Sequence, residues 1–566
     1  MSGFDSFGWR MRVAAARGTG RSSLVLAGGK ILNVFTGELE ERTVAITNGR
    51  ITSIGDTGGT HEVIDCRGKI IAPSFVDPHI HTESSLVWMP EFARAVIPHG
   101  TGAIVTDPHE IANVAGIPGL DAMRAATQGL PMHIHFTAPS CVPASWQESP
   151  GAKLDAEEIA ELLTWPETVG LGELMNVAGT IASDQTIAEK LRVAWGRRKD
   201  GHAPGVTGRR LQTYLQTGVT SDHESTTAAE ALEKLRAGLF IMIRQGTSER
   251  NLDALLPLVD DATFPRFSFC SDDRDCFTLL HDGHVDAIVR DAIERGMDPI
   301  RAYRLATWNA ADYWRLDGIG AVAPGYEANL NIITDLDAVE IEQTLFQGVV
   351  VAYRGEMVID LPANEPPAFL LDSMNVGPLD LDAFRLDPKD ATEAVVVSDG
   401  QIVTNRQKLT APVEDGRVVT DVDGDILKLA CIERHHATGR AGVGLVRGFA
   451  LKKGAIASSI AHDAHNIVVV GVSDEDMLAA VQRVIAMNGG LATAVDGNIV
   501  ADLPLPIGGI ISDQPLATVS ERLETMEQSA NDLGCPLISP YGLLAFMALS
   551  VIPKARVTDH GFIHVA

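Results

Sequence analysis

Cysteine is scarce in this chain. Six cysteines in 566 residues are too few for a disulfide scaffold. No stretch approaches the ~18 consecutive apolar residues of a membrane span. Positive charge is also short: 46 Lys and Arg against 74 Asp and Glu give a formal net charge of −28. A field of that sign argues against nucleic acid and anionic membranes as primary partners and says nothing about fold. The glycines of GRAGVGLVRG do not spell a dinucleotide fingerprint and no Walker A motif occurs, so nucleotide triphosphate chemistry has no support. Internal repeats and low-complexity tracts are absent. Arg10, Arg12, Arg17 and Arg21 interrupt the first 23 residues, so a secretory core is missing. That segment reads as a mobile tail or docking extension, and the expected compartment is the cytoplasm.

What is present is a globular composition, 45% hydrophobic and 21% charged, which excludes disorder as the main state. The length suggests roughly four domains, since one barrel of about 250 residues would leave more than half the chain over. Residues 24–70 read as short strands, with Asn48-Gly49 as a hairpin signal. From residue 70 to about 297, short runs alternate with helical patterns such as 188–198 and 227–238. The runs are KIIAPSFVDPHIH, GAIVTDPHE, MHIHFTAPS, TVGLGEL, KDGHAP, GVTSDHE, LFIMIRQG and RFSFCSDD. Eight strands with helices between them predict an α/β fold, a TIM-like (β/α)8 barrel. The fifth and sixth runs are polar and are counted because the spacing requires them. Residues 299–313 predict a helix, and strand character returns through 345–359 to complete the opening β module. LPANEPPAF (361–369) is a proline-rich linker. The expected division is an extension over 1–23, a β module over 24–70 with 318–362, a barrel over 71–317, and a C-terminal unit of strands and helices over 375–566, including a helix at 474–488.

The polar residues fall where a barrel carries its chemistry, at the C-terminal ends of its strands. Five of the eight runs end in metal-ligand types. The first ends in His79-Ile80-His81, whose alternation puts both imidazoles on one face. The fourth ends in Glu173, the fifth in His202, the sixth in His223 and the eighth in Asp272. Six such groups exceed one tetrahedral site and fit two divalent ions sharing a carboxylate and a hydroxide. Nearby, Glu83, Ser84 and Ser85 follow the first strand, and Asp107, His109 and Glu110 follow the second. A carboxyl in such a pocket can be tuned into a proton shuttle, and Glu110 is the first candidate. Its bland alternative is a helix-start carboxylate favoured by the macrodipole. His99 precedes the second strand and belongs at the opposite end.

The segments PSFVDPHIHTESS, PHGTGAIVTDPHEIANVAG, LGELMN, GHAPG, TSDHES and SDD, in this order, resemble the adenine deaminases of the amidohydrolase superfamily. ERHHATGRAGVGLVRGFALKKGAIASSIAHDAHNIVVVG (433–471) resembles their extra C-terminal domain. The resemblance implies hydrolysis of adenine to hypoxanthine and ammonia in purine salvage, by a metal-bridged hydroxide attacking C6. It implies a distorted (β/α)8 barrel, a small β-sandwich built from N-terminal and post-barrel segments, and a C-terminal α/β domain. It implies two divalent ions per chain, manganese first, with iron or zinc as alternatives. Carried onto this sequence, His79, His81, Glu173 and Asp272 hold one ion, and Glu173, His202 and His223 the other. No lysine stands at the bridging position on the fourth strand. Asp272 would relay the proton of the attacking hydroxide, Glu110 would protonate the ring nitrogen, and His223 completes the catalytic set. Glu83, Ser84, His109 and Asp463 are the candidate contacts to adenine. A homo-oligomer, with a dimer as the starting expectation, completes the picture. The Pro-Cys-x-x-Cys half of the zinc base-editor deaminase signature is absent, so any likeness to those enzymes would be convergent. Thr82 and Gly102 depart from the family pattern at positions that could shift substrate fit.

His435, His436, His462, Asp463 and His465 form a second polar cluster. It reads as a further metal site with Cys431, as a loop that closes the purine pocket, or as structural hydrogen bonding. Two other functions stay open: an amidohydrolase for another aminopurine or a cyclic amide, and a catalytically dead barrel used for assembly.

Overall fold

The computed structural model describes residues 5–55, 58–399, 401–414 and 416–565. Its centre is a ring of eight parallel strands: β1 Phe75–Ile80, β2 Thr101–Thr106, β3 His133–Ala138, β4 Thr168–Leu174, β5 Arg198–Gly201, β6 Ser221–Asp222, β7 Phe240–Arg244 and β8 Phe267–Cys270. β1 to β5 pair in chain order as one sheet, and β6 to β8 as another. Two seams join them. Thr220 N–H donates to Lys199 C=O (3.0 Å) between β5 and β6. Asp272 N–H donates to His79 C=O (3.0 Å), and His81 N–H to Asp272 C=O (2.7 Å), between β8 and β1. β5 and β6 are the shortest stretches of the ring beside β8 because their residues are polar and weak strand formers. β1, β2, β7 and β8 are buried along their whole length, as strands covered on both faces must be.

The opening β module is one hydrogen-bonded sheet of nine strands. Arg21–Asn33 pairs with Glu38–Thr47, Gly59–Asp65 and Ile70–Pro73. Ile70–Pro73 then pairs antiparallel with Leu330–Asp335, so the chain segments before and after the barrel share a sheet. Leu26, Ile31, Val44, Ile46, Ile71, Leu330 and Leu345 fill its core. Asn48 and Gly49 both take positive φ (49° and 73°), the backbone a two-residue hairpin turn requires. The N-terminal extension is a docked helix over its described part, Ser6–Ala16, not a free tail. Asp5 caps it by accepting the Gly8 N–H (2.9 Å), and it packs on the strand Arg50–Ile54.

The C-terminal sheet has eight strands, in the order Gln401–Lys408, Glu393–Ser398, Ala441–Arg447, Leu427–Ile432, Ile467–Gly471, Ala455–Ser458, Gly490–Val495 and Asn498–Pro504. Alternation divides its faces. Ala430, Ile432, Ile467 and Val469 pack on the helix Asp474–Ala486. Leu429, Cys431, Val468 and Val470 join the cluster that contains the helix Leu516–Asp532 and the barrel residues Phe92, Ile111 and Phe136. The sheet is thereby pressed against the barrel, and its loops reach the barrel mouth. No helix among the described residues is long and apolar enough to cross a membrane.

Candidate active site

The ligand-type residues converge at the C-terminal ends of the ring strands. His79 lies in β1, and His81 follows it. Glu173 lies in β4, His202 follows β5, His223 follows β6, and Asp272 lies two residues beyond β8. All six are buried. Glu173 stands between two pairs of imidazoles. Its Oε1 lies 2.7 Å from His81 Nε2 and 3.3 Å from His79 Nε2. Its Oε2 lies 2.6 Å from His202 Nδ1 and 3.7 Å from His223 Nε2. Asp272 faces the same centre, 3.6 Å from His223 Nε2 and 3.7 Å from His79 Nε2. Its φ of 61° is left-handed, and the two seam hydrogen bonds to β1 hold it there.

Neighbouring groups orient these side chains from behind. Asp200 lies 2.7 Å from His79 Nδ1, accepts the Ser221 hydroxyl (2.5 Å) and lies 3.8 Å from His223 Nδ1. The Asp107 carbonyl takes His81 Nδ1 (2.8 Å), which leaves Nε2 facing the centre. The Asp107 carboxylate accepts the Glu173 N–H (2.7 Å). Arg244, at the end of β7, pairs with Glu224, with Asp272 Oδ2 (3.2 Å) and with Asp273 Oδ1 (3.0 Å). Burial would raise the Asp272 carboxyl, but Arg244 and then His223 hold it down at about 2.

His79 Nε2, Glu173 Oε1, both ring nitrogens of His202 and His223, and Asp272 Oδ2 are buried without a completed hydrogen bond. Imidazole and carboxylate atoms that crowd one another without completed hydrogen bonds fit the donor set of a divalent metal centre. The residues therefore fit the metal that the sequence implied.

The centre opens into a cavity of about 840 Å³. Glu83, Ser84, His109 and Glu110 line it from the barrel, and Ile460, His462, Asp463, Tyr541 and Phe546 from the C-terminal unit. From the Ala461–Asn466 loop, His462 and Asp463 thus reach the cavity wall. His109 Nε2 lies 3.6 Å from Asp463 Oδ1. Glu83 accepts the Ile111 N–H (3.2 Å). Glu110 opens the helix His109–Ala126 with its carboxyl 3.4 Å from His462 Nδ1, so it is both a helix-start residue and a pocket residue.

Two family profiles match the chain: "Amidohydrolase family" over residues 70–376 and "Adenine deaminase C-terminal domain" over residues 401–566. An adenine deaminase from Dehalococcoides mccartyi is 44% identical over 554 residues, covering 98% of this chain and 97% of that protein. One from Desulfatibacillum aliphaticivorans is 43% identical, again covering 98% and 97%. The chain belongs to the adenine deaminases of the amidohydrolase family. Among solved structures, a beta-aspartyl dipeptidase from Fervidobacterium islandicum AW-1 matches with a TM-score of 0.46 and 15% identity, over 60% of this chain and 99% of that one.

Two groups at the centre, Arg244 and Asp200, escaped the sequence reading. Arg244 ends the one strand of the second sheet that supplies no ligand type, and only the fold shows that it reaches Asp272 and Glu224. Asp200 stands two residues before His202, and that alternation could have marked it. The chain's other His-x-His, His133 and His135, opens β3 at the far end from the ligands, where His133 pairs with Glu327 (2.7 Å). His99 likewise lies away from the centre, paired with Asp286 (3.0 Å). Gly102 sits at the start of β2, where a Cβ would fall 2.1 Å from Ser74 Oγ. Packing there accounts for the glycine, which is not among the residues that line the cavity. His435 and His436 bind the Ala464 and Pro150 carbonyls (2.7 and 2.8 Å), and Cys431 lies in an apolar cluster, so these three form no metal site.

Proposed function

We propose that this pocket converts adenine and water into hypoxanthine and ammonia at a binuclear centre. The observation that carries the reading is the division of Glu173, with one oxygen facing His79 and His81 and the other facing His202 and His223. A carboxylate placed so would serve two ions as a shared ligand. His79, His81, Glu173 and Asp272 would hold one ion, and Glu173, His202 and His223 the other. Manganese is the first choice, with iron and zinc alternatives, since imidazole and carboxylate donors accept all three. Such ions supply Lewis acidity and a water activated at neutral pH.

The chain's own residues do the rest. Oxygen adds to C6 of the purine, the bond from C6 to the exocyclic nitrogen breaks, and that nitrogen leaves as ammonia. Asp272 stays ionised beside Arg244, so it accepts the proton of the attacking water and passes it toward the leaving amine. Glu110 gives a proton to the ring nitrogen, so negative charge does not build on the purine, and the proton lost from the C6 oxygen as the carbonyl forms restores the Glu110 acid. His223 stacks on His79, 3.9 Å between centroids, and packs against both carboxylates of the centre. Glu83, Ser84, His109 and Asp463 line the space where adenine is held.

Chelation followed by reconstitution with manganese, iron or zinc tests the reading. Adenine turnover should vanish with the metal and return with two equivalents bound per chain. Turnover that survives complete chelation, or a reloaded protein inert toward adenine, overturns it.

A further inference from the structure

The six ligand-type residues all belong to the barrel, yet the C-terminal unit brings two imidazoles to Glu110: His462 on the cavity wall and the fully buried His465 behind it. We propose that His465, on the Ala461–Asn466 turn, is a positioning residue that fixes the Glu110 carboxyl for proton delivery. The inference rests on the reading of Glu110 as the acid.

The turn fixes the His465 tautomer. Ala461 N–H donates to His465 Nδ1 (3.3 Å), and His465 N–H donates to the Ala461 carbonyl (2.7 Å). A ring nitrogen that accepts a hydrogen bond carries the lone pair, so in the neutral ring the proton sits on Nε2. Burial first, then the neighbouring His462, keep this imidazole neutral. Its Nε2–H has no completed partner and lies 3.9 Å from Glu110 Oε2. The other carboxyl oxygen, Oε1, faces His462 Nδ1 at 3.4 Å. A donor at Oε2 makes that oxygen the acceptor and leaves Oε1 to carry the acidic proton. At 3.9 Å the two atoms are beyond hydrogen-bond distance, and this role requires the contact to shorten when substrate binds, as contacts at catalytic acids often do.

A metal at Glu110, His462 and His465 is the competing account. It needs the Nε2 lone pair of His465, and the Ala461 N–H already holds the lone pair on Nδ1. A bound ion would have to break the bond that shapes the turn.

The turn is rigidly held. His465 has a φ of 53°, a left-handed value that surrounding bonds must maintain. The fully buried Arg434 donates to the His465 carbonyl and the Gly508 carbonyl (2.9 Å for the latter). His462 N–H donates to the Ala545 carbonyl (2.9 Å), and the His462 ring stacks on Phe546 with centroids 4.5 Å apart. Asn466 reaches across to the Ser149 carbonyl of the barrel (3.1 Å). The imidazole of His465 therefore reaches Glu110 on a buried turn held by several hydrogen bonds.

The test is a double-mutant cycle on the metal-loaded enzyme with adenine. His465→Ala should lower kcat about tenfold or more, with KM and metal content unchanged, and His465→Gln should restore part of it by supplying an amide N–H. In a Glu110→Gln background, His465→Ala should cost nothing further. Equal losses in both backgrounds overturn the proposal, as does a loss of bound metal in His465→Ala. If His465→Ala fails to fold, His465→Gln carries the cycle alone: a kcat loss confined to the Glu110 background supports the proposal, and one shared by both overturns it. Full activity of Glu110→Gln removes the acid reading itself, and this inference with it.

Discussion

Two carboxyls, Glu83 and Glu110, share a buried corner of the cavity. Burial first, then the Glu83 charge, push the Glu110 carboxyl up to about 8. An acid with that value keeps its proton at neutral pH, as the proposed delivery to a purine nitrogen requires. The protonated form is the working form, so kcat should hold below about pH 8 and fall as pH rises through it. Glu110→Gln should lower kcat about 10²–10⁴-fold and erase the alkaline limb. The limb is read from kcat against pH for both proteins, and a limb that persists in the variant belongs to another group. The six ligand-type residues were legible in the sequence because metal chemistry admits few residue types and a barrel puts them at strand ends. Arg244 was not, because arginine serves surfaces so often that only its contacts reveal it, and Asp200 could have shown only through its alternation with His202.

β4 shows how an element sets a site. Gly172 precedes Glu173, and a Cβ there would fall 2.3 Å from Asp107 Oδ2, the atom that accepts the Glu173 N–H. The glycine lets the carboxylate of Asp107, which follows β2 two strands away, reach the backbone of Glu173. Gly172→Ala should expel that carboxylate, release the Glu173 backbone and weaken metal binding about 10–100-fold, as loss of an orienting partner does. Metal content after dialysis measures it, and unchanged retention would detach Asp107 from the site. Elements were legible where period and composition agreed, as in β7 and in the Asp474–Ala486 helix, expected to run to 488. β6 was found by spacing alone and has only two residues, because its partners at the seams replace the propensity it lacks. The docked Ser6–Ala16 helix escaped because its contacts are with the strand at Arg50–Ile54, far along the chain.

At the scale of the whole molecule, the charge of −28 suits a neutral base, which needs no basic funnel to reach its site. The C-terminal sheet answers a different need. One apolar cluster runs from Phe92, Ile111 and Phe136 of the barrel to Leu429, Val468, Val470 and Met526 of the C-terminal unit. A core shared in this way gives neither part a surface it can expose alone without losing apolar contact. The two should therefore unfold together, and the metal centre with them, because the cavity wall carrying His462 and Asp463 is anchored in that sheet. Leu429 is fully buried far from the ligands, so Leu429→Ala should cost about 2–5 kcal/mol through a cavity in the shared core. Calorimetry of the loaded protein should show one endotherm that moves down as a whole in the variant, with loss of activity at the same temperature. Chelation should lower the same endotherm further, since ions that bind only the folded state stabilise all of it. Two separated endotherms, with only one moved by Leu429→Ala, would mean that the barrel holds its centre without the C-terminal sheet.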